Sequence, residues 1–307
     1  MSQVTNPFAV IEIGSKALRL GIFDNSPRGP HPRKTHAERC RLGEDLHEGA
    51  GTISNMLKME AYEILEKFRH ILHDKEIAEI YVVGTEAMRV ARKTEDGKAF
   101  IGIIEKMLGR RMVVLDHEQE ALLEGEGVLS KNFGVTGVLA SMGGLTTQFS
   151  RLKNGKASEP SFVPEGVLSL LKKTDGSFDQ VNEAMSEVLK NIDYGKVDNL
   201  LLRDKWRQVA NLVSMRIHGK PQVALDWKTA KSHFFEIAQK DADFFRQSNV
   251  HRDMQEQADE FPLIAQTLYA VLYHIDPEKI VSVEGGIRDG VARVCRSSPL
   301  FRNLKLA

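Results

Sequence analysis

The chain has 307 residues, and its 42 lysines and arginines balance its 42 aspartates and glutamates. This length predicts two domains of ordinary size, and the zero net charge provides no overall field that would attract nucleic acid or an anionic membrane. The two cysteines, Cys40 and Cys295, offer neither a disulfide framework nor zinc-ligand spacing. Because no apolar run approaches membrane-spanning length and no leader pattern opens the sequence, we expect a cytoplasmic protein without membrane or nucleic-acid partners.

The first part of the sequence alternates between strand and helix patterns. Residues 8–13 read as a buried strand that Gly14 and Ser15 turn into the second strand of a hairpin. Residues 24–36, rich in proline, glycine and basic side chains, are predicted to form a solvated loop. A helix from Ser54 follows, and then strands at 79–85 and 111–115 alternate with helices at 97–108 and 118–129. This rhythm predicts an α/β domain with helices packed on a mixed sheet.

The second part of the sequence again begins with a strand, a glycine turn and a hairpin. Residues 138–149 form an apolar run that enters a glycine pair and two hydroxyl residues, and a hairpin follows at 148–155. Residues 178–274 are predicted to be mainly helical. Polar residues and a glycine interrupt the pattern near residue 130, so we predict an N-terminal lobe at 1–130 and a C-terminal lobe with a helical insertion at 131–307.

Three turns in which a strand meets glycine are the candidate binding elements. Gly143 and Gly144, followed by Thr146 and Thr147, place backbone N–H groups and hydroxyls on one tight turn, which suits phosphate oxygens. Shorter versions occur at residues 8–15 and 280–288. The repetition predicts two related halves that bind one phosphate-bearing ligand, although a single glycine pair after a strand most often makes only a turn.

Seven segments of the sequence stand in a recognisable order. They are residues 11–15 (IEIGS), 41–44 (RLGE), 83–89 (VGTEAMR), 118–121 (EQEA), 138–149 (VLASMGGLTTQF), 259–262 (DEFP) and 284–290 (EGGIRDG). Through these segments the chain resembles the exopolyphosphatase and guanosine pentaphosphate phosphatase (Ppx/GppA) family of the actin-like ATPase superfamily. The resemblance implies two ribonuclease-H-like lobes with an interlobe cleft, hydrolysis of the terminal phosphoanhydride of polyphosphate or guanosine pentaphosphate, a magnesium cofactor and a homodimer.

The resemblance also assigns roles to residues. Glu120 matches the catalytic glutamate, which would orient or deprotonate water. The alternatives are that Glu120 is a solvated residue of an acidic helix, that Thr85 is a helix cap and that Arg89 is a surface arginine. The phosphate-binding residues that the resemblance implies are Gly14, Ser15, Thr85, Arg89, Gly143, Gly144, Thr146, Thr147, Gly285 and Gly286.

Several positions depart from the family pattern. Glu12 replaces the aspartate of the first turn and is the one candidate metal ligand, while Ser141 and Gln148 replace an aspartate and a glutamate of the second turn. Without those carboxylates the sequence predicts a weakened magnesium site. Two explanations of the missing carboxylates stay open. Basic side chains could neutralise the charge of the phosphate ligand in place of magnesium, or the protein has lost catalysis. Two functions therefore stay open: a phosphoanhydride hydrolase, and a non-catalytic family member that senses a phosphorylated ligand. Leu145, which replaces a third glycine, is expected to disturb the backbone of that turn.

Overall fold

A computed structural model describes residues 6–26, 29–48, 52–221 and 224–302, apart from the side chains of residues 47, 48 and 253. The chain divides into two compact units. One consists of Met1–Ser130 with Gly285–Ala307, and the other of Lys131–Glu284. No helix within the described ranges is long and apolar enough to cross a membrane.

The first unit is built on a five-stranded mixed sheet in the order β3-β2-β1-β4-β5. Strands β1 to β3 are antiparallel neighbours, whereas β4 and β5 run parallel to β1. Apolar side chains of α1 and α3 cover one face of the sheet. The elements are β1 (Phe8–Ile13), β2 (Ala17–Asp24), β3 (His31–Arg39), α1 (Asn55–Asp74), β4 (Glu79–Gly84), α2 (Glu86–Ala91), α3 (Glu95–Leu108), β5 (Met112–Val114) and α4 (His117–Lys131).

Strand β3 corrects the prediction of a loop over residues 24–36. It pairs with β2 at the edge of the sheet, and nearly all of its residues are exposed. Pro32 is compatible with this position because an edge strand has one side without a hydrogen-bonding neighbour. The polar and proline-rich composition that suggested a loop is that of an edge strand exposed on both faces.

The second unit is built on a six-stranded sheet in the order β10-β11-β9-β6-β7-β8. Helices α6 to α11 account for the region predicted to be mainly helical, and their apolar faces form the core with the sheet. The elements are β6 (Gly137–Met142), β7 (Thr147–Lys153), β8 (Lys156–Val163), α5 (Val167–Lys173), α6 (Phe178–Leu189), β9 (Asn199–Leu202), α7 (Asp204–His218), β10 (Ala224–Asp226), α8 (Trp227–Ala238), α9 (Ala242–Arg246), α10 (Arg252–Glu256), α11 (Phe261–Ile275) and β11 (Lys279–Ser282).

The two sheets share one topology. In each, three antiparallel strands are followed by strands parallel to the first, so β6, β7, β8, β9 and β11 correspond to β1 to β5. The first hairpin of each unit is closed in the same way. Gly14 N–H donates to the Ala17 carbonyl at 3.1 Å, and Gly143 N–H donates to the Thr146 carbonyl at 2.8 Å. The predicted repeat and the α/β class with two ribonuclease-H-like units are confirmed.

The C-terminal helix α12 (Ile287–Val294) corrects the predicted domain division. Residues 285–307 were assigned to the second lobe, but they belong to the first unit. The physical reason is apolar packing, because Ile287 and Val291 join Phe8, Val10 and Leu123 in one buried cluster.

Candidate functional site

Three of the predicted phosphate-binding residues meet at one end of the first sheet. Gly14 and Ser15 form the turn after β1, and the Ile13 carbonyl accepts a hydrogen bond at 3.1 Å from the N–H of Thr85, which follows β4. β1 and β4 are parallel, so their carboxyl ends lie side by side. Thr85 precedes α2, but its side chain makes no capping hydrogen bond. The hydroxyl of Thr85, a buried residue, is therefore not used to cap the helix.

Arg89 and Glu120 form a buried ion pair in the first unit. Both residues are buried, and Arg89 Nη1 lies 2.7 Å from Glu120 Oε2. Arg89 also donates from Nη1 to the Leu115 carbonyl at 2.6 Å and from Nε to Glu86 Oε2 at 2.6 Å. The interpretations of Arg89 as a surface arginine and of Glu120 as a solvated glutamate are therefore wrong.

Local sequence explains how Glu120 is presented. Asp116 precedes α4, and its carboxylate accepts from the Gln119 N–H at 2.8 Å, while the Gln119 side chain accepts from the Asp116 N–H at 3.1 Å. This reciprocal pair is a capping box, which fixes where the helix begins. Glu120 consequently lies in the first turn of α4, on its buried side.

Burial makes the carboxyl group of Glu120 harder to ionise, although it lies beside the Arg89 guanidinium. Burial raises the pKa of Glu120 to about 8, with Glu124 and Glu86 acting in the same direction and Arg89 opposing them. Arg89 Nη2 is buried and donates to no acceptor among the described residues. Such a group is poised to hold an anion, because an unsatisfied buried donor is costly. The arrangement can therefore bind an anionic ligand beside a carboxyl group whose pKa lies near physiological pH.

Sequence reasoning missed two residues of this cluster, Glu86 and His117. Glu86 Oε2 accepts from Arg89 Nε and lies 2.7 Å from His117 Nε2. Although burial opposes it, contact with His117 and Arg89 lowers the pKa of Glu86 to about 2. The three-residue spacing of Glu86 and Arg89 on one helix could have indicated the first pairing. The contact with His117 joins residues 31 positions apart and has no local signal.

The turn at 143–146 is the corresponding element of the second unit. The carbonyls of Gly143 and Gly144 accept from the N–H groups of Val167 and Leu168 at the start of α5, at 3.1 and 2.7 Å. In a trans peptide the N–H points opposite the carbonyl. The N–H groups of Gly144 and Leu145 therefore point away from α5, and they donate to no acceptor in the part of the chain that the structure describes. Two successive N–H groups of this kind can form an anion-binding site.

The two threonines of this turn have different surroundings. Thr147 is fully buried, and its hydroxyl donates to the Glu165 carbonyl at 2.8 Å, so that hydroxyl is committed within the fold. Thr146 accepts from Gln148 Nε2 at 3.1 Å, which leaves its own proton for another acceptor. Leu145 is buried and its φ is not positive, so this residue carries no left-handed backbone strain.

Gly285 and Gly286 lie in the first unit, against α4. A Cβ built on Gly285 would lie 2.2 Å from the Gly127 carbonyl oxygen, and one on Gly127 would lie 2.0 Å from that of Gly286. Gly285 also has a φ of 104°, which favours glycine. Close packing of α4 and α12 therefore accounts for these glycines, and their predicted contact with phosphate stays a prediction.

The residues that the family pattern associates with a metal do not form a hard-cation site here. Glu12 lies 2.9 Å from Arg19 Nη1 and 3.5 Å from Arg288 Nε, so two guanidinium groups already neutralise it. Ser141 and Gln148, which are buried opposite each other on β6 and β7, carry no charge. Within the described ranges, no group of three or more histidine, cysteine, aspartate or glutamate residues is arranged to hold a metal ion. Magnesium is usually held by one or two carboxylates, and the single carboxylate of this set, that of Glu12, is already paired with two arginines.

Two α/β units that share one sheet topology, each opening with a hairpin closed at a glycine turn, define a class of protein built from two ribonuclease-H-like units. The model of the Ppx/GppA phosphatase family matches residues 22–294. The chain therefore belongs to the Ppx/GppA phosphatase family, which confirms the resemblance inferred from its sequence.

Similar proteins are known as structures and as curated sequences. An exopolyphosphatase from Cytophaga hutchinsonii superposes with a TM-score of 0.79 at 17% identity over 94% of this chain and 97% of that one. The PPX-GPPA enzyme of Aquifex aeolicus has a TM-score of 0.74 at 18% identity over 93% and 98%. At such identities these structures show the shared fold. A guanosine-5'-triphosphate,3'-diphosphate pyrophosphatase of Aliivibrio fischeri is 24% identical over 148 residues, which are 48% of this chain but only 29% of that relative.

Proposed function

We propose that this protein binds polyphosphate or a guanosine polyphosphate and hydrolyses its terminal phosphoanhydride bond, with Glu120 as the general base. The observation that carries the proposal is the buried pair of Arg89 and Glu120, in which Arg89 Nη2 has no partner among the described residues. The turn at 143–146, with N–H groups that point away from α5, independently supports a phosphate-bearing ligand.

In the proposed hydrolysis, Arg89, Thr85 and Glu120 of the first unit each have a distinct role. Arg89 Nη2 and the Thr85 hydroxyl donate to non-bridging oxygens of the terminal phosphate, and the Arg89 charge offsets the negative charge of the transition state. Water attacks the terminal phosphorus, Glu120 accepts its proton, and the bond to the bridging oxygen breaks. The products are inorganic phosphate and a ligand shortened by one phosphate. A carboxyl group whose pKa is raised to about 8 is a stronger base than an ordinary glutamate.

This role has a defined dependence on pH. Glu120 must be ionised to accept a proton, and its pKa is raised to about 8. Turnover should therefore rise as pH increases through about 8, rather than reach its plateau near pH 5 as an ordinary glutamate would allow.

The test is release of inorganic phosphate from polyphosphate and from guanosine pentaphosphate, each with and without magnesium. Glu120→Gln should lower turnover by roughly 10²-fold or more, and binding measured by calorimetry should persist because the amide keeps the shape of the side chain. Glu118→Gln is the matched control, since Glu118 is exposed on the same helical turn. Equal turnover in wild type and Glu120→Gln, above background, would reject Glu120 as the base.

A second function is favoured by one observation, the neutralisation of Glu12 by Arg19 and Arg288. In this alternative the protein binds the same ligands without turnover and reports their presence to a partner. Heat of binding with pyrophosphate or short polyphosphate, together with phosphate release at background in wild type, would support the sensor and exclude the hydrolase.

A further inference from the structure

Glu86 lies at the centre of a chain of polar side chains in the first unit that runs from His117 through Arg89 to Glu120. Its Oε2 atom is 2.6 Å from Arg89 Nε and 2.7 Å from His117 Nε2, and Arg89 Nη1 is in turn 2.7 Å from Glu120 Oε2. The side chains of Arg89 and Glu120 are 6% and 10% exposed, while that of His117 is 28% exposed. The chain therefore leads from a solvent-accessible imidazole to the buried carboxyl group of the candidate base.

These contacts connect two helices that carry the site. Glu86 and Arg89 lie on α2, and His117 is the first residue of α4, three positions before Glu120. The Leu115 carbonyl, just before α4, accepts from Arg89 Nη1. Because Arg89 Nε donates to Glu86 and Nη1 donates to the Leu115 carbonyl, the orientation of the planar guanidinium is fixed. Only Nη2 is left without a partner among the residues described.

We propose that Glu86 and His117 are positioning residues of the proposed phosphatase site: Glu86 directs the Arg89 guanidinium, and His117 limits how strongly Glu86 draws Arg89 away from Glu120. The inference rests on the proposed function, because it makes Glu86 and His117 act on Glu120, the general base of the proposed hydrolysis. It extends that function to two residues with no predicted role.

The charges predict the direction of each effect. The charged groups that act on Glu120 are Arg89 and Glu86 from α2 and Glu124 from its own helix. Glu86→Gln removes a negative charge and releases Arg89 Nε, so Arg89 interacts more strongly with Glu120 and the pKa of Glu120 falls. His117→Ala removes the competing partner of Glu86, so Glu86 holds Arg89 more strongly and the pKa of Glu120 rises.

Opposite signs distinguish positioning from structural support. If Glu86 and His117 only kept the site packed, both substitutions would admit water to Glu120, and both would lower its raised pKa towards the ordinary value. The effects of the two substitutions should also be coupled, since Glu86 mediates between His117 and Arg89.

The experiment is a carboxyl carbon NMR titration of Glu120 in the full chain, together with the pH profile of phosphate release. We expect the midpoint to fall in Glu86→Gln and to rise in His117→Ala, each by about half a pH unit or more, and Glu86→Asp, which restores the charge, to return it towards wild type. The control is Glu95→Gln, since Glu95 is exposed on α3 and pairs only with Lys98 among its described contacts; it should leave the titration unchanged.

Shifts of the same sign in both variants, or no shift in either, would overturn the positioning role. If wild type releases no phosphate, the proposed hydrolase fails, but the NMR titration still decides whether Glu86 and His117 control Glu120. If Glu86→Gln does not fold, the direction of the shift in His117→Ala decides the matter, because structural loosening and positioning predict opposite signs there.

Discussion

Replacing Gly290 by alanine tests the helix packing that brings the C-terminal segment to the first unit. A Cβ atom at Gly290 would lie 1.8 Å from the carbonyl oxygen of Leu123 and 2.7 Å from its carbonyl carbon. Both groups are backbone, so no side-chain rotation relieves the overlap, and α12 must move away from α4. Overpacking of this kind costs about 1–3 kcal/mol or more in the free energy of unfolding. Because α4 carries Glu120, the same displacement should also lower phosphate release.

The matched control is Gly102→Ala in α3. A Cβ at Gly102 would meet nothing within 4 Å, and the residue lies within a helix, where alanine is favoured over glycine by about 0.5–1 kcal/mol. Urea denaturation should therefore shift to lower concentration in Gly290→Ala and to higher concentration in Gly102→Ala, with unfolding free energies that differ by roughly 2–4 kcal/mol. A Gly290→Ala protein as stable as wild type would refute the close contact and the packing explanation for the glycines of this region.

Four other variants test the contributions of buried polar and charged residues to stability and ligand binding. Thr147→Val should lower the free energy of unfolding by about 1–3 kcal/mol, because it leaves a buried carbonyl without its donor, whereas Thr146→Val should weaken pyrophosphate binding in calorimetry with little effect on urea denaturation. Ser141→Asp combined with Gln148→Glu places two carboxylates opposite each other on buried strands; the thermal midpoint should fall without magnesium and recover with it, and an identical midpoint in both conditions would argue against cation binding there. Glu120→Gln should flatten the pH dependence of stability. Since the folded pKa of about 8 exceeds the reference value of 4.5, the stabilisation by the buried acid is complete below pH 4.5 and is lost as pH rises through 8.

Local sequence patterns were sufficient to predict the strands and glycine turns. The hairpin at Gly14 and the one at Gly143 follow from apolar runs that end in glycine, and both are closed by the same backbone hydrogen bond in the structure. Strand β3 could not be predicted in this way, because an edge strand exposed on both faces has the polar, proline-containing composition of a loop. The assignment of α12 to the first unit also lacked a local signal, since it depends on contacts with residues far away in the sequence.

The candidate site was only partly predictable for the same reason. Glu120 and Arg89 were named through the family resemblance, but their pairing and burial emerge only when α2 and α4 pack together. The hydroxyl of Thr147 looked like a ligand donor because its sequence context is a glycine turn, and the structure instead commits it to a backbone carbonyl. Sequence shows which donors exist, whereas the fold determines which of them are already used.

The departures from the family pattern have one electrostatic effect in common, because each reduces the uncompensated negative charge at a position that the family pattern associates with a metal ion. Ser141 and Gln148 remove negative charge from the second unit, and in the first unit Arg19 and Arg288 offset the charge that Glu12 retains. Arg19 faces Glu12 across the β1–β2 hairpin, and Arg288 reaches it from α12, so the neutralisation depends on the C-terminal segment lying in the first unit. Under the proposed function, a phosphate ligand in the first unit meets no uncompensated carboxylate at Glu12, so Arg89 must offset its charge. Arginine side chains would then supply, within this unit, positive charge of the kind that a bound metal ion contributes.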